Sequence, residues 1–171
     1  MAWSVEYTDE FGAWWKKLSE AEQEDIDAHV RELERRGPML PFPYSSDVKG
    51  SAHGAMRELR VQSGGRPIRI FYAFDPRRTA ILLIGGMKSN QRRFYDQMVP
   101  IADRLLDQHL DELKVQIKQG GSRIALDLEQ VRLVDVEVIR FLGTCQAAGI
   151  QLVHCPPYIS EWINQEQGGE E

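Results

Sequence analysis

Arg60 and Arg69 stand in two short apolar stretches, MRELRV and PIRIFYAF, and Lys88 closes a third, AILLIGGMK. Side chains alternate between the two faces of a strand. Leu59 and Val61 would therefore share a core face and send Glu58 and Arg60 to the other, while Ile70 and Tyr72 take one face and Arg69 and Phe71 the opposite one. If the strands are neighbours, Lys49, Arg60, Arg69, Lys88 and Arg92 or Arg93 gather around one patch, with Tyr95 at its rim. Arg57, Arg66 and His53 belong to the same basic stretch and extend it. Such a patch can hold phosphate and stack bases on guanidinium or aromatic planes. It can also cleave RNA without a metal. That reaction needs a deprotonated 2′-hydroxyl, neutralised non-bridging oxygens and a protonated 5′-oxygen. Arginines suit the second task because they stay charged and offer a fork of donors. A lysine or tyrosine can move protons near neutral pH only if its pKa is depressed. Spacing alone does not separate cleavage from binding.

The charge is unevenly placed. Residues 48–95 hold 10 basic and 2 acidic side chains, against a formal net charge of -5 for the whole 171-residue chain. A local positive field of this kind focuses polyanions. The competing expectation is that these arginines pair with carboxylates of the N-terminal helices. No cofactor or metal is expected, because phosphate-loop, GxGxxG and HExxH motifs are absent and Cys145, His154 and Cys155 lack zinc-site spacing. His29, His53, His109 and His154 are scattered, and only His53 lies in the basic region. Two cysteines do not make a disulfide framework. The longest apolar run, Ala80 to Ile84, is far short of a membrane span, and the acidic N-terminus does not read as a signal peptide. A cytoplasmic protein without membrane partners is expected.

The elements that must position these residues follow from pattern. AWSVEY alternates and predicts a first strand. Thr8 is placed to cap a helix carrying Phe11, Trp14, Trp15 and Leu18, and SEAE at 19–22 is a capping box for a second helix stopped by Gly37 and Pro38. The stretch PMLPFPYSSDVKGSAHGA reads as loop. Strands are predicted at about Met56–Gln62, Pro67–Phe74 and Thr79–Met87, joined by SGGR and DPRR turns into a mostly antiparallel meander covered on one face by the helix pair. Residues from NQRRFYD to KVQIKQ are expected as a helix in two pieces, with Pro100 in the first turn of the second, ending at the glycines 120–121. The tail reads strand, helix, strand, helix, an order that predicts parallel pairing. The expected fold class is therefore α+β, with domains at 1–117 and 118–171.

The collinear run VEYTDEFGAWWKKLSEAEQEDI, the ELR and RIFYAFD strands, AILLIGGMK and RRFYDQMVPIADRLLDQHL resemble the RelE/ParE superfamily of bacterial toxins, and within it the phage-derived Gp49-like HigB group. The resemblance implies two N-terminal helices on a small, largely antiparallel sheet followed by C-terminal helices. It also implies a type II toxin that cuts messenger RNA, typically on the ribosome, by 2′-hydroxyl attack. A cognate helix-turn-helix antitoxin would hold it silent. By motif, the catalytic positions fall on Arg60, Arg69, Lys88 and Tyr95, with RNA-binding support from Lys49, His53, Arg57, Arg66, Arg92 and Arg93. ParE-like relatives act on gyrase, so gyrase inhibition is an alternative. A non-enzymatic regulator that binds RNA or protein is another. The tail, GGSRIALDLEQVRLVDVEVIRFLGTCQAAGIQLVHCPPYISEWI, resembles the second half of a STAS domain, without the phosphorylatable serine that anti-sigma-factor antagonists usually carry where this chain reads VDVEV. That likeness implies a truncated appendage for docking or self-association.

Overall fold

The computed structural model describes residues 2–89, 91–120, 124–129, 131 and 134–169. Gly121, at the expected domain boundary, and Arg123, at the start of the expected RIALDL strand, lie outside the described residues, as does Asn90. The chain divides into two compact units, Met1–Asp75 with Thr79–Gln108, and Pro76–Arg78 with His109–Glu171.

In the first unit, β1 (Ser4–Tyr7) leads into α1 (Asp9–Trp15), whose N-cap Thr8 accepts a hydrogen bond from the Phe11 amide. The longer α2 (Glu20–Arg36) opens on the expected capping box: Ser19 and Glu22 each accept from the other's backbone amide. It stops at Gly37, which sits at φ +55° and touches Trp3; an added Cβ there would lie 2.2 Å from the indole nitrogen. Conformation and space both demand glycine at this point.

Strands β3 (Arg57–Ser63), β4 (Arg66–Asp75) and β5 (Thr79–Met87) form the expected meander. The stretch read as loop is more structured than its prolines suggest. It contains a turn of 3-10 helix at Gly37–Met39 and the edge strand β2 (Ser45–Asp47), which pairs antiparallel with β3. The full order is β1-β5-β4-β3-β2, with β1 parallel to β5. Phe11, Ile26 and Leu33 of the helix pair meet Leu59, Val61, Ile68, Ile70, Tyr72, Ala80 and Leu82 of the sheet in one buried cluster. Burial of this apolar surface is the main stabilising term for such a sheet.

The opposite face receives the start of α3 (Gln91–Gly120), where Phe94 stacks on Phe71 with ring centroids 6.1 Å apart. One expectation fails here. The helix is continuous, with Pro100 inside it rather than at the start of a second piece. Interior proline costs about 3 kcal/mol. The apolar stripe around it, Val99, Ala102, Leu105 and Leu106, is buried and offsets that cost.

In the second unit, β6 (Ala125–Asp127) and β7 (Gln151–Val153) pair in parallel, as the strand-helix-strand order predicts. Between them α4 (Val136–Ala147) is capped by Asp135, and α5 (Pro157–Gly168) follows. Leu113, Ile117, Leu126, Ile139, Leu142, Ile159 and Ile163 share its core. Among the described residues, no helix is long and apolar enough to cross a membrane.

Candidate functional site

The register of β3 and β4 places Arg60 directly opposite Arg69 and Glu58 opposite Phe71. Like charges facing each other across a ladder repel. Glu58 relieves the repulsion from the same face. Its side chain is nearly sealed from solvent, with the residue 4% exposed, and Arg69 is 3% exposed. Around the Glu58 carboxylate, Tyr95 Oη donates to Oε2 at 2.6 Å, Ser46 Oγ donates to Oε1 at 2.9 Å, and Arg60 Nη1 donates to Oε1 at 3.4 Å. Arg69 Nε lies 4.0 Å from the same oxygen. That nitrogen is buried without a hydrogen-bond partner among the described residues, while Nη1 of the same side chain donates to the Ile68 carbonyl at 3.1 Å.

Lys88 joins this face because of an irregularity in β5. Phe71 pairs with Ile84 but the next residue, Tyr72, pairs with Leu82, so Leu83 is one residue too many. The bulge switches the alternation. Ala80 and Leu82 point into the helix-pair core, yet beyond the bulge it is Gly85 that meets Trp14 of α1 and Gly86 that meets Phe94 and Met98 of α3. Lys88 continues the phase of Gly86, and its amide donates to the Pro67 carbonyl at 2.9 Å. Its ammonium stands 5.7 Å from the centre of the Tyr95 ring. Bulges commonly re-aim side chains in this way.

The electrostatics follow from crowding. Burial, then the neighbouring Arg69 charge, push the Lys88 ammonium below its ordinary pKa. Burial, then the hydrogen bond Tyr95 gives to Glu58, push that phenol up to about 12. Lys88 thus shifts in the direction that proton transfer requires and Tyr95 shifts away from it. Tyr95 stays protonated at neutral pH and serves as a donor.

The remaining expected residues are dispersed. Arg57 lies on the helix-pair face, where Nη1 donates to Asp47 at 2.6 Å and Nε to Ser45 at 3.0 Å, beside the buried Tyr72 phenol. Two-residue periodicity separates it from Arg60 by one face. Arg66 is exposed at the β3–β4 turn and adds to the lowering of the Glu22 pKa, on the helix-pair side. His53 Nε2 bonds Asp107 of α3 at 2.8 Å and so ties down the loop after β2. Lys49 is exposed in that loop, past the Asp47–Arg57 pair and at the other end of the β2–β3 pairing from Arg60. Arg92 and Arg93 are exposed on the first turn of α3, just before Tyr95.

Arg60, Arg69, Lys88 and Tyr95 therefore come together, and Glu58 is the residue the sequence reading passed over. Its signal was present: in RELR it shares a strand face with Arg60. The competing expectation paired the arginines with carboxylates of the N-terminal helices, but Glu58 comes from their own hairpin. Arg60 and Arg69 converge on this one carboxylate, and the Lys88 ammonium feels its charge. The surplus is positive, and the burial of Glu58 and Arg69 strengthens its action on an anion. In the second unit, Asp127, Glu129 and His154 place donor atoms within 4.8 Å of one another, a set of types able to ligate a cation. Arg78 lies 3.9 Å from Asp127 and already supplies positive charge there.

Comparison with known proteins places these residues in context. "Putative toxin HigB2" of Mycobacterium tuberculosis is 35% identical over 116 residues, 67% of this chain and 57% of its own length. The chain thus spans little more than half of that relative. "Putative toxin HigB3" of the same organism is 41% identical over 92 residues, 53% of this chain and 79% of its own. Among solved structures, a mutant of the E. coli toxin RelE in the free state aligns with a TM-score of 0.43 at 14% identity, covering 57% of this chain and 94% of that one. The archaeal RelE–RelB complex from Pyrococcus horikoshii aligns at 0.41 and 14%, covering 53% and 99%. The family described as "Phage derived protein Gp49-like (DUF891)" matches residues 13–107, more than half of the sequence and all of the strands that carry the cationic site; this chain belongs to that family.

Proposed function

We propose that the chain is the toxin of a type II toxin-antitoxin pair and acts as a metal-independent endoribonuclease on messenger RNA, in the cytoplasm and on the ribosome. The observation that carries this reading is the surplus charge: Arg60 and Arg69 share a single carboxylate, and Lys88 adds a third cation over the Tyr95 ring that bonds it. The toxin names of its relatives support it. Arg69, with its unpartnered Nε, and Arg60 take the non-bridging oxygens of the scissile phosphate. Lys88, in the neutral form that its lowered pKa favours, accepts the proton of the attacking 2′-hydroxyl. The 2′-oxygen bonds to phosphorus as the bond to the 5′-oxygen breaks, and Lys88 gives that oxygen its proton, leaving a cyclic phosphate and a free 5′-hydroxyl. Tyr95 orients Glu58 through its hydrogen bond.

A helix-turn-helix antitoxin is the proposed partner, silencing the site by presenting its own acid to Arg60 and Arg69. The functional division we propose is 1–117 for the toxin and 118–171 for a STAS-like docking appendage, supported in the second case by the parallel β6–β7 pair with α4 between. The test is a short pulse of expression followed by mapping of transcript ends. New 5′-hydroxyl ends inside coding regions are expected, and they are absent with Arg69→Ala. Equal growth arrest by both proteins with no new ends, accompanied by relaxed plasmid DNA, would instead point to gyrase.

A further inference from the structure

Phe42 is 70% exposed in a short ordered turn. It is flanked by Pro41 and Pro43, and the amides of Tyr44 and Ser45 both donate to the Pro41 carbonyl at 3.0 and 3.1 Å. The ring is therefore held out on a braced turn. Its neighbour on one side is functional in kind: the Arg60 guanidinium stands over the ring, 5.1 Å from its centre. The same guanidinium reaches Glu58 at 3.4 Å. Arg60 thus links an exposed aromatic plane to the cationic site. A nucleotide has the matching form, a flat base beside a negative phosphate. Base–aromatic stacking and guanidinium stacking need no particular base edge.

We infer that Phe42 and Arg60 form a stacking platform for a nucleobase of single-stranded RNA next to the phosphate held by Arg60 and Arg69. This rests on the ribonuclease reading and adds to it a means of engaging bases without reading sequence. Charge decides for a nucleotide over an apolar peptide, because the guanidinium that stands over the ring belongs to the cationic site.

The test measures binding of the full chain to a 2′-O-methyl RNA hexamer, which cannot be cleaved, and to an abasic sugar-phosphate chain of the same length. Phe42→Ala is expected to weaken hexamer binding on the order of tenfold and to leave the abasic chain unchanged. Phe42→Trp should restore the hexamer, which separates stacking from any effect on folding. Arg69→Ala should weaken both. If Phe42→Ala binds the hexamer as the unaltered chain does while Arg69→Ala loses it, the platform is overturned and the ribonuclease reading stands. If the unaltered chain binds neither ligand, both fall. If Phe42→Ala loses only the antitoxin, the ring is a protein contact and the platform is overturned.

Discussion

Glu58 does two things that separate under substitution. It neutralises part of a buried cationic cluster, and it accepts the Tyr95 hydrogen bond at 2.6 Å. Removing one partner of a buried ion pair leaves the other charge without compensation. Glu58→Ala should therefore lower unfolding free energy by about 3 kcal/mol in urea titrations, with Glu58→Gln less costly because its carbonyl still accepts from Tyr95. Stability with pH isolates the phenol. The folded value of Tyr95 is raised to about 12 from 10.0, so the folded state holds the proton more tightly. Its contribution is complete below pH 10 and is lost as pH rises through 12. Alkaline urea titrations should show that loss, and Tyr95→Phe should flatten it. Lys88 has the opposite sign: its lowered value makes the charged ammonium unfavourable to folding below that value, a penalty that fades toward 10.5. Lys88→Met should raise stability near pH 7 while abolishing cleavage, which would mark the lysine as kept for chemistry. Residue type made Arg60, Arg69, Lys88 and Tyr95 legible as candidates. The direction of Tyr95's shift was not legible, because it depends on a buried acceptor in a distant strand.

The helix starts were written locally and could be read. Thr8 and Ser19 cap where their spacing to Phe11 and Glu22 said they would. Ser19→Ala should cost about 1 kcal/mol by thermal or urea unfolding. The edge strand β2 could not be read, since SSD has no apolar alternation and becomes a strand only by pairing with Leu59, Glu58 and Arg57. The bulge at Leu83 was equally silent, and it matters more. Strict alternation from Leu82 would carry Lys88 to the helix-pair core; the extra residue carries it to the site. Gly85 is fixed by the same switch, with Trp14 as near as 2.3 Å to where a Cβ would stand. Gly85→Ala should destabilise by about 1–3 kcal/mol through overpacking.

Across the whole chain, net charge is a poor guide and charge distribution a better one. An acidic protein of net -5 sets 10 basic side chains against 2 acidic ones in residues 48–95, and Glu58 removes part of the charge they present. Binding of single-stranded RNA should weaken with salt, with a logarithmic slope of roughly -1.4, the value for two phosphates neutralised. A slope near zero would show that the cluster is a structural network. The helix-pair-on-sheet layout was visible in the order of patterns, but the parallel place of β1 against β5 was not, because pairing between the first and last of these strands along the chain leaves no local mark. That place has a consequence for synthesis. Ser4–Tyr7 leaves the ribosome first and must wait for Thr79–Met87 before it has a neighbour. A nascent polypeptide cut short before Thr79 lacks both the strand that β1 pairs with and Lys88, so abortive translation of this gene releases fragments that cannot assemble the cationic site.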